Sequence, residues 1–148
     1  MYLKISRCLP FVLLFMLAAL VAQAQKELIV GQWLNEDKDA EIRIFEATNG
    51  KYYGKIIWLK EPNRNGKPKT DIHNPKAANR NHPIIDMQIL KGFKKISNVL
   101  FEDGTIYDPK NGKTYSCKIT VKDENTLHIR GFVGISMLGR TTVWTRSK

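Results

Sequence analysis

Apolar and polar positions alternate with a period of two along most of the chain. Beyond residue 24 no stretch sustains the 3.6-residue spacing of an amphipathic helix. Strands are therefore predicted at residues 28–34, 40–47 and 51–59, in two short runs on either side of Asp103-Gly104, and at 114–121, 126–133 and 140–146. Asn49-Gly50 tolerates the positive φ values of a tight turn, so the second and third strands should form an antiparallel hairpin. Asn111-Gly112 and Asp123-Glu124-Asn125 punctuate the later strands in the same way. About eight short strands with turn-length connections describe an antiparallel meander that closes into a barrel or packs as a sandwich.

The alternation also assigns faces, because neighbouring side chains on a strand point to opposite sides. Tyr115, Cys117, Ile119 and Val121 fall on one side of their strand, and Ser116, Lys118 and Thr120 on the other. Leu127, Ile129, Gly131 and Val133 are expected inward by the same rule, as are Tyr52, Gly54, Ile56 and Trp58. Gly54 and Gly131 then stand on the inner surface, where a missing side chain relieves curvature strain or leaves space for a guest.

Residues 60–95 interrupt this rhythm. They carry nine Lys or Arg against three Asp or Glu, and four of the six prolines lie at 62–83. So polar a segment is not a core strand, and a connection this long is functional or disordered rather than a simple turn. It is expected to lie as an ordered flap over one barrel end, fastened internally by Asp71, Asn74 and Arg80. The apolar run at 84–93 is expected to return as a plug or a short helical turn.

The opening of the chain is of a different kind. Lys4 and Arg7 precede an uncharged apolar run at 9–21, which ends at Ala22-Gln23-Ala24. That is the layout of a cleavable export signal, and the run is shorter than the roughly 20 residues a membrane-spanning helix needs. Residues 1–24 are thus expected to be removed, leaving a single domain at 25–148 that is periplasmic or secreted. The chain of 148 residues is too short for a two-domain enzyme, and its content of 43% hydrophobic and 26% charged residues is that of an ordinary folded domain. Loss of Lys4 and Arg7 lowers the net charge of +10 by two and leaves it strongly basic.

Candidate chemistry is sparse. After the signal only Cys117 remains of two cysteines, so no internal disulfide is possible, and nothing nearby would stabilise its thiolate. His73, His82 and His128 lack the spacing of a metal site, and no cofactor is implied. Neither a nucleophile elbow nor a phosphate-binding glycine loop is present. Asp71, His73, Asp86 and Asp108 qualify as acid/base candidates only through their place in loops, and Asp108-Pro109 and Asn74-Pro75 read rather as turn formers. A catalytic role is not expected, and export removes nucleic acid as a partner.

Gly31-Gln32-Trp33 opens the first strand and Trp144-Thr145-Arg146 closes the last. In a closed meander these strands are neighbours, so the Trp33 indole would lie under the Arg146 guanidinium, whose donors would also satisfy carbonyls at the sealed end. The combination resembles the calycin superfamily of lipocalins, fatty-acid-binding proteins and avidin-like proteins, which implies an up-and-down barrel around a small-molecule cavity. Further stretches extend the likeness along the chain: Asn49-Gly50-Lys51-Tyr52-Tyr53-Gly54-Lys55-Ile56, Thr70-Asp71 with Asn74-Pro75, Tyr107-Asp108-Pro109, Gly112-Lys113-Thr114-Tyr115, Arg130-Gly131-Phe132-Val133-Gly134-Ile135 and Leu138-Gly139-Arg140-Thr141. Together they resemble the exported bacterial family catalogued as domain of unknown function 2147. That resemblance implies a lipocalin-like barrel in the envelope and no reaction.

A monomeric binder of one small hydrophobic or amphipathic molecule is the function these readings favour. Tyr52, Trp58, Tyr107 and Tyr115 would line the cavity, and Asp71, Asn74 and Arg80 would meet the ligand from the long loop, with its lysines facing an anionic head at the mouth. Gly31, Trp33 and Arg146 would close the other end. The alternative is an interaction module that touches an anionic partner or a membrane surface through the basic 60–95 region.

Overall fold

A computed structural model describes residues 27–147; the export signal expected at 1–24 lies outside them. Eight strands form a closed antiparallel barrel: β1 (Gly31–Leu34), β2 (Ala40–Glu46), β3 (Tyr52–Leu59), β6 (Gln88–Lys95), β7 (Leu100–Asp108), β8 (Lys113–Asp123), β9 (Thr126–Phe132) and β10 (Gly139–Arg146). Each strand pairs with the next in chain order, and β10 returns to β1 through Trp33 opposite Arg146 and Leu34 opposite Thr145. A small hairpin, β4 (Asn63–Arg64) with β5 (Lys67–Pro68), and a 3-10 turn at Ala77–Asn79 occupy the connection from β3 to β6.

The turns form where the sequence allows them. Gly50 has φ +74° between β2 and β3, and the Asn49 side-chain oxygen accepts the Lys51 N–H at 3.0 Å. Between β7 and β8 Asp108 accepts the Lys110 N–H, and Gly112 adopts φ +72°.

Four expectations are corrected. Trp58 does not face inward: the register of β3 against β2 slips between Ile56, opposite Ile42, and Trp58, opposite Glu41, so one extra residue reverses the parity and leaves the indole 43% exposed. Asp103-Gly104 is not a turn but an irregularity inside the single strand β7. Asp103 takes φ +59°, and Gly104 lies under the Phe93 ring, where a Cβ would collide with it. The eighth barrel strand comes instead from Gln88–Lys95, within the run expected to form a plug or helical turn. In addition, β9 ends at Phe132, so Val133 belongs to the following turn and is exposed rather than inward.

One end of the barrel is filled. Trp33, Tyr52, Phe93 and Phe101 are all buried there, with Tyr52 edge-on to Phe101 at 4.9 Å between ring centres. The Trp33 indole N–H donates to the Ile29 carbonyl at 2.8 Å, and the Arg146 guanidinium stands 4.2 Å from the indole ring centre. The same guanidinium donates to the carbonyls of Leu28, Val30 and Glu124, so one side chain joins the two chain ends and a neighbouring turn. Gly31, at φ +147°, is the residue that lets it approach, since a Cβ there would meet the guanidinium.

Candidate functional site: the open end of the barrel

At the other end the inward side chains are shorter. Ile42, Ile56, Ile89, Ile106 and Ile129 form the walls of a cavity of about 1070 Å³, and Trp144 is among its lining residues. Gly131 contributes no side chain; a Cβ built there lies 3.6 Å from Ile106 and 3.7 Å from the Tyr115 Cβ, ordinary contact distances. Space is therefore left inside the sheet at a position where the chain could have filled it. A cavity of this size matches those that hold compact organic ligands.

The rim is charged and internally paired. Lys110, in the β7–β8 turn, places its Nζ 2.9 Å from Asp37 and 2.8 Å from Asp39, both in the β1–β2 turn. Burial acts to raise the Asp39 carboxyl, but hydrogen bonds from Lys110 and Asn35 and the ammonium charge outweigh it and hold its pKa below the usual value. Hydrogen bonding to Asp39 raises the Lys110 pKa in turn. Glu36 accepts the Val143 N–H at 3.0 Å and approaches Arg140 at 3.4 Å, bridging β10 to the β1–β2 turn where the short β1 has ended. These rim residues were not singled out from the sequence. The run Asn35-Glu36-Asp37-Lys38-Asp39 between two strands was the available signal, but its partners on β10 and the β7–β8 turn are set by barrel closure.

Of the residues expected to bind ligand, Tyr107 and Tyr115 line this cavity. Tyr52 is inward but packs into the filled end, and Trp58 lies on the outer surface. Asp71, Asn74 and Arg80 form a linked fastening within the long loop. The Tyr107 hydroxyl lies 2.8 Å from each oxygen of the buried Asp71 carboxylate. Asn74 donates to the same carboxylate at 2.7 Å, and Arg80 Nε donates to the Asn74 carbonyl at 2.9 Å. Burial, then the Asp71 carboxylate, push the Tyr107 pKa up to about 12, so the phenol keeps its proton and acts as donor. Tyr107 borders both the main cavity and a smaller cleft of about 390 Å³, which Asp71 and Asn74 also line.

The remaining acid/base candidates are dispersed. His73 lines the main cavity and its carbonyl crosses so close to Gly112 that no side chain fits at that turn. Asp108 orders its own turn through Lys110 and Asn111, and Asp86 pairs with the exposed Lys55 at 3.0 Å. Among the described residues no group of three or more His, Cys, Asp or Glu is gathered where it could hold a metal ion.

A closed eight-stranded meander, sealed by Trp33 and Arg146 and open opposite them, defines a lipocalin-like barrel. The chain belongs to the bacterial family described as "Uncharacterized protein conserved in bacteria (DUF2147)", which it matches over residues 31–146. It is similar in structure to a Helicobacter pylori protein described as "Protein HP1028 from the human pathogen Helicobacter pylori belongs to the lipocalin family". The TM-score is 0.73 at 23% identity, over 81% of this chain and 83% of that one, a likeness of fold. No curated protein was found to match the chain.

Proposed function

We propose that the barrel is a non-catalytic binding protein for one compact hydrophobic or amphipathic molecule, held in the open end, and that it acts as a monomer outside the cytoplasm after loss of residues 1–24. The observation that carries the reading is the cavity of about 1070 Å³ with isoleucine walls, left open at Gly131. Its apolar body and charged rim suit a ligand with an apolar stem and a polar end. Tyr115 supplies flat contact with a polar tip, and Tyr107, its hydroxyl engaged by Asp71, serves with Asp71, Asn74 and Arg80 by holding the loop that borders the mouth. The layout at 4–24 supports the export.

The test is titration of a solvatochromic apolar probe and of a fatty acid into the protein and into Gly131→Leu. The substituted Cβ is accommodated, so the rest of the leucine extends into the cavity. Saturable one-to-one binding by the unaltered protein, weakened at least about tenfold in Gly131→Leu with its melting temperature kept, is expected. Absence of saturable binding to the unaltered protein, or equal binding by the variant, overturns the reading.

A further inference from the structure

The turn from β9 to β10 differs from every other loop at the mouth. From Gly131 to Gly139 it contains no charged residue, and Val133, Ile135, Met137 and Leu138 are between 61% and 83% exposed. Such a cluster of large apolar side chains facing water is uncommon unless something covers it. Nor is the loop loosely held. Arg130 donates to the Ser136 carbonyl at 2.6 Å, to the Met137 carbonyl at 3.2 Å and to the Thr141 hydroxyl at 2.9 Å, and residues Ser136–Leu138 form a 3-10 turn. The guanidinium is spent on the loop's backbone, and the apolar side chains are presented outward from a braced base.

Charge says what this tip would meet. The hairpin β4–β5 and its approach also border the mouth and carry Lys60, Arg64 and Lys67, none of which has an acidic partner among the described residues. The acids of the third rim loop are occupied, Asp37 and Asp39 by Lys110 and Glu36 by Arg140. The hairpin side of the mouth is therefore locally basic, with Lys60, Arg64 and Lys67 against Glu61, which Lys69 holds, beside an uncharged apolar tip. An anionic bilayer offers both complements at once, phosphates for the cations and an acyl boundary for the side chains of the turn. A second copy of the chain offers an apolar tip but no anionic surface, since it brings the same cations and a strongly basic net charge.

We infer that the mouth of the barrel is a docking surface for an anionic lipid bilayer, with Ile135 and Met137 entering the interface and Lys60, Arg64 and Lys67 meeting headgroups. The inference goes beyond ligand binding and does not require an occupied cavity.

The test uses the protein from Gln25 onward, which contains the entire hydrogen-bonded circuit of the barrel and lacks the apolar run at 9–21 that would itself enter lipid. Co-sedimentation is measured at physiological salt with mixed phosphatidylglycerol and phosphatidylcholine vesicles and with phosphatidylcholine alone. Binding to the anionic vesicles is expected, weakened at least about tenfold by the pair Ile135→Asp and Met137→Asp, and likewise by Arg64→Glu with Lys67→Glu. It should be unchanged by Val99→Asp, an exposed apolar site at the filled end. No binding by the unaltered protein, or an equal loss in Val99→Asp, overturns the inference. So does a concentration-dependent dimer that Ile135→Asp and Met137→Asp dissociate, which would assign the patch to a second copy. Apolar-probe titration of the same proteins keeps failure of docking distinct from failure of the cavity reading, because neither Ile135 nor Met137 lines the cavity.

Discussion

At the filled end of the barrel the inward side chains are Trp33, Tyr52, Phe93 and Phe101, whereas the cavity is walled mainly by Ile42, Ile56, Ile106 and Ile129, with Tyr115 and Trp144 beside them and no side chain at Gly131. Both sets lie on the inner face of the same barrel. Hydrophobic pattern therefore decides which face is inside, and side-chain size decides whether the inside is full. Two of the interior glycines make the point within one barrel. At Gly54 a Cβ would lie 2.8 Å from Leu90 Cδ1 and 3.1 Å from Ile42 Cγ2, so neighbours have taken its space. At Gly131 the nearest atoms leave room.

The largest effect should come from emptying the filled end. Trp33→Ala removes a fully buried indole and the surface under Arg146, and is expected to cost about 3–5 kcal/mol in urea unfolding. Probe affinity under native conditions should persist, since Trp33 does not line the cavity. A variant that keeps its stability but loses probe binding would erase the distinction between the ends.

A smaller and sharper contrast comes from adding one methyl group at each interior glycine. Gly54→Ala overpacks and should lose about 1–3 kcal/mol, whereas Gly131→Ala should stay within about 0.5 kcal/mol. Paired denaturation curves decide it; equal losses at both sites would mean that the mouth is as tightly packed as the floor.

Cys117 gives the smallest effect and tests how dry the middle of the barrel is. Burial pushes its thiol from the ordinary 9.0 up to about 12. The unfolded chain releases this proton first, so its contribution to stability is complete below about pH 9 and is lost as pH rises toward 12. The unaltered protein should lose about 1 kcal/mol more than Cys117→Ala between pH 9 and 10. Identical alkaline profiles would mean that water reaches the thiol.

Much of this architecture was legible in the sequence because it rests on local rules. Asn49-Gly50 and Asn111-Gly112 turn where expected, β8 and β9 keep strict alternation, and Trp33 meets Arg146 as the two terminal motifs require. What escaped depends on departures from period two. The extra residue in β3 turned Trp58 outward, and the irregularity at Asp103 hid the continuity of β7. In β6 adjacent Ile89 and Leu90 are both buried, so no alternation marks Gln88–Lys95 as a strand. The site was less legible still. Tyr115 follows from the alternation of β8, but Tyr107, next to the inward Ile106, does not, and Lys110, Asp37 and Asp39 come together only through loops that are distant in sequence.

The bond from Arg146 to the Leu28 carbonyl spans 118 residues, and the register it accompanies joins β1 to β10 at only two positions. A growing polypeptide has no partner for β1 on that flank until its last strand has been synthesised. Before then it carries two raw sheet edges, the feature most prone to recruit strands from other molecules. Sealing the cylinder is thus a late step in the life of the chain, and loss of a few C-terminal residues would leave the sheet unlatched.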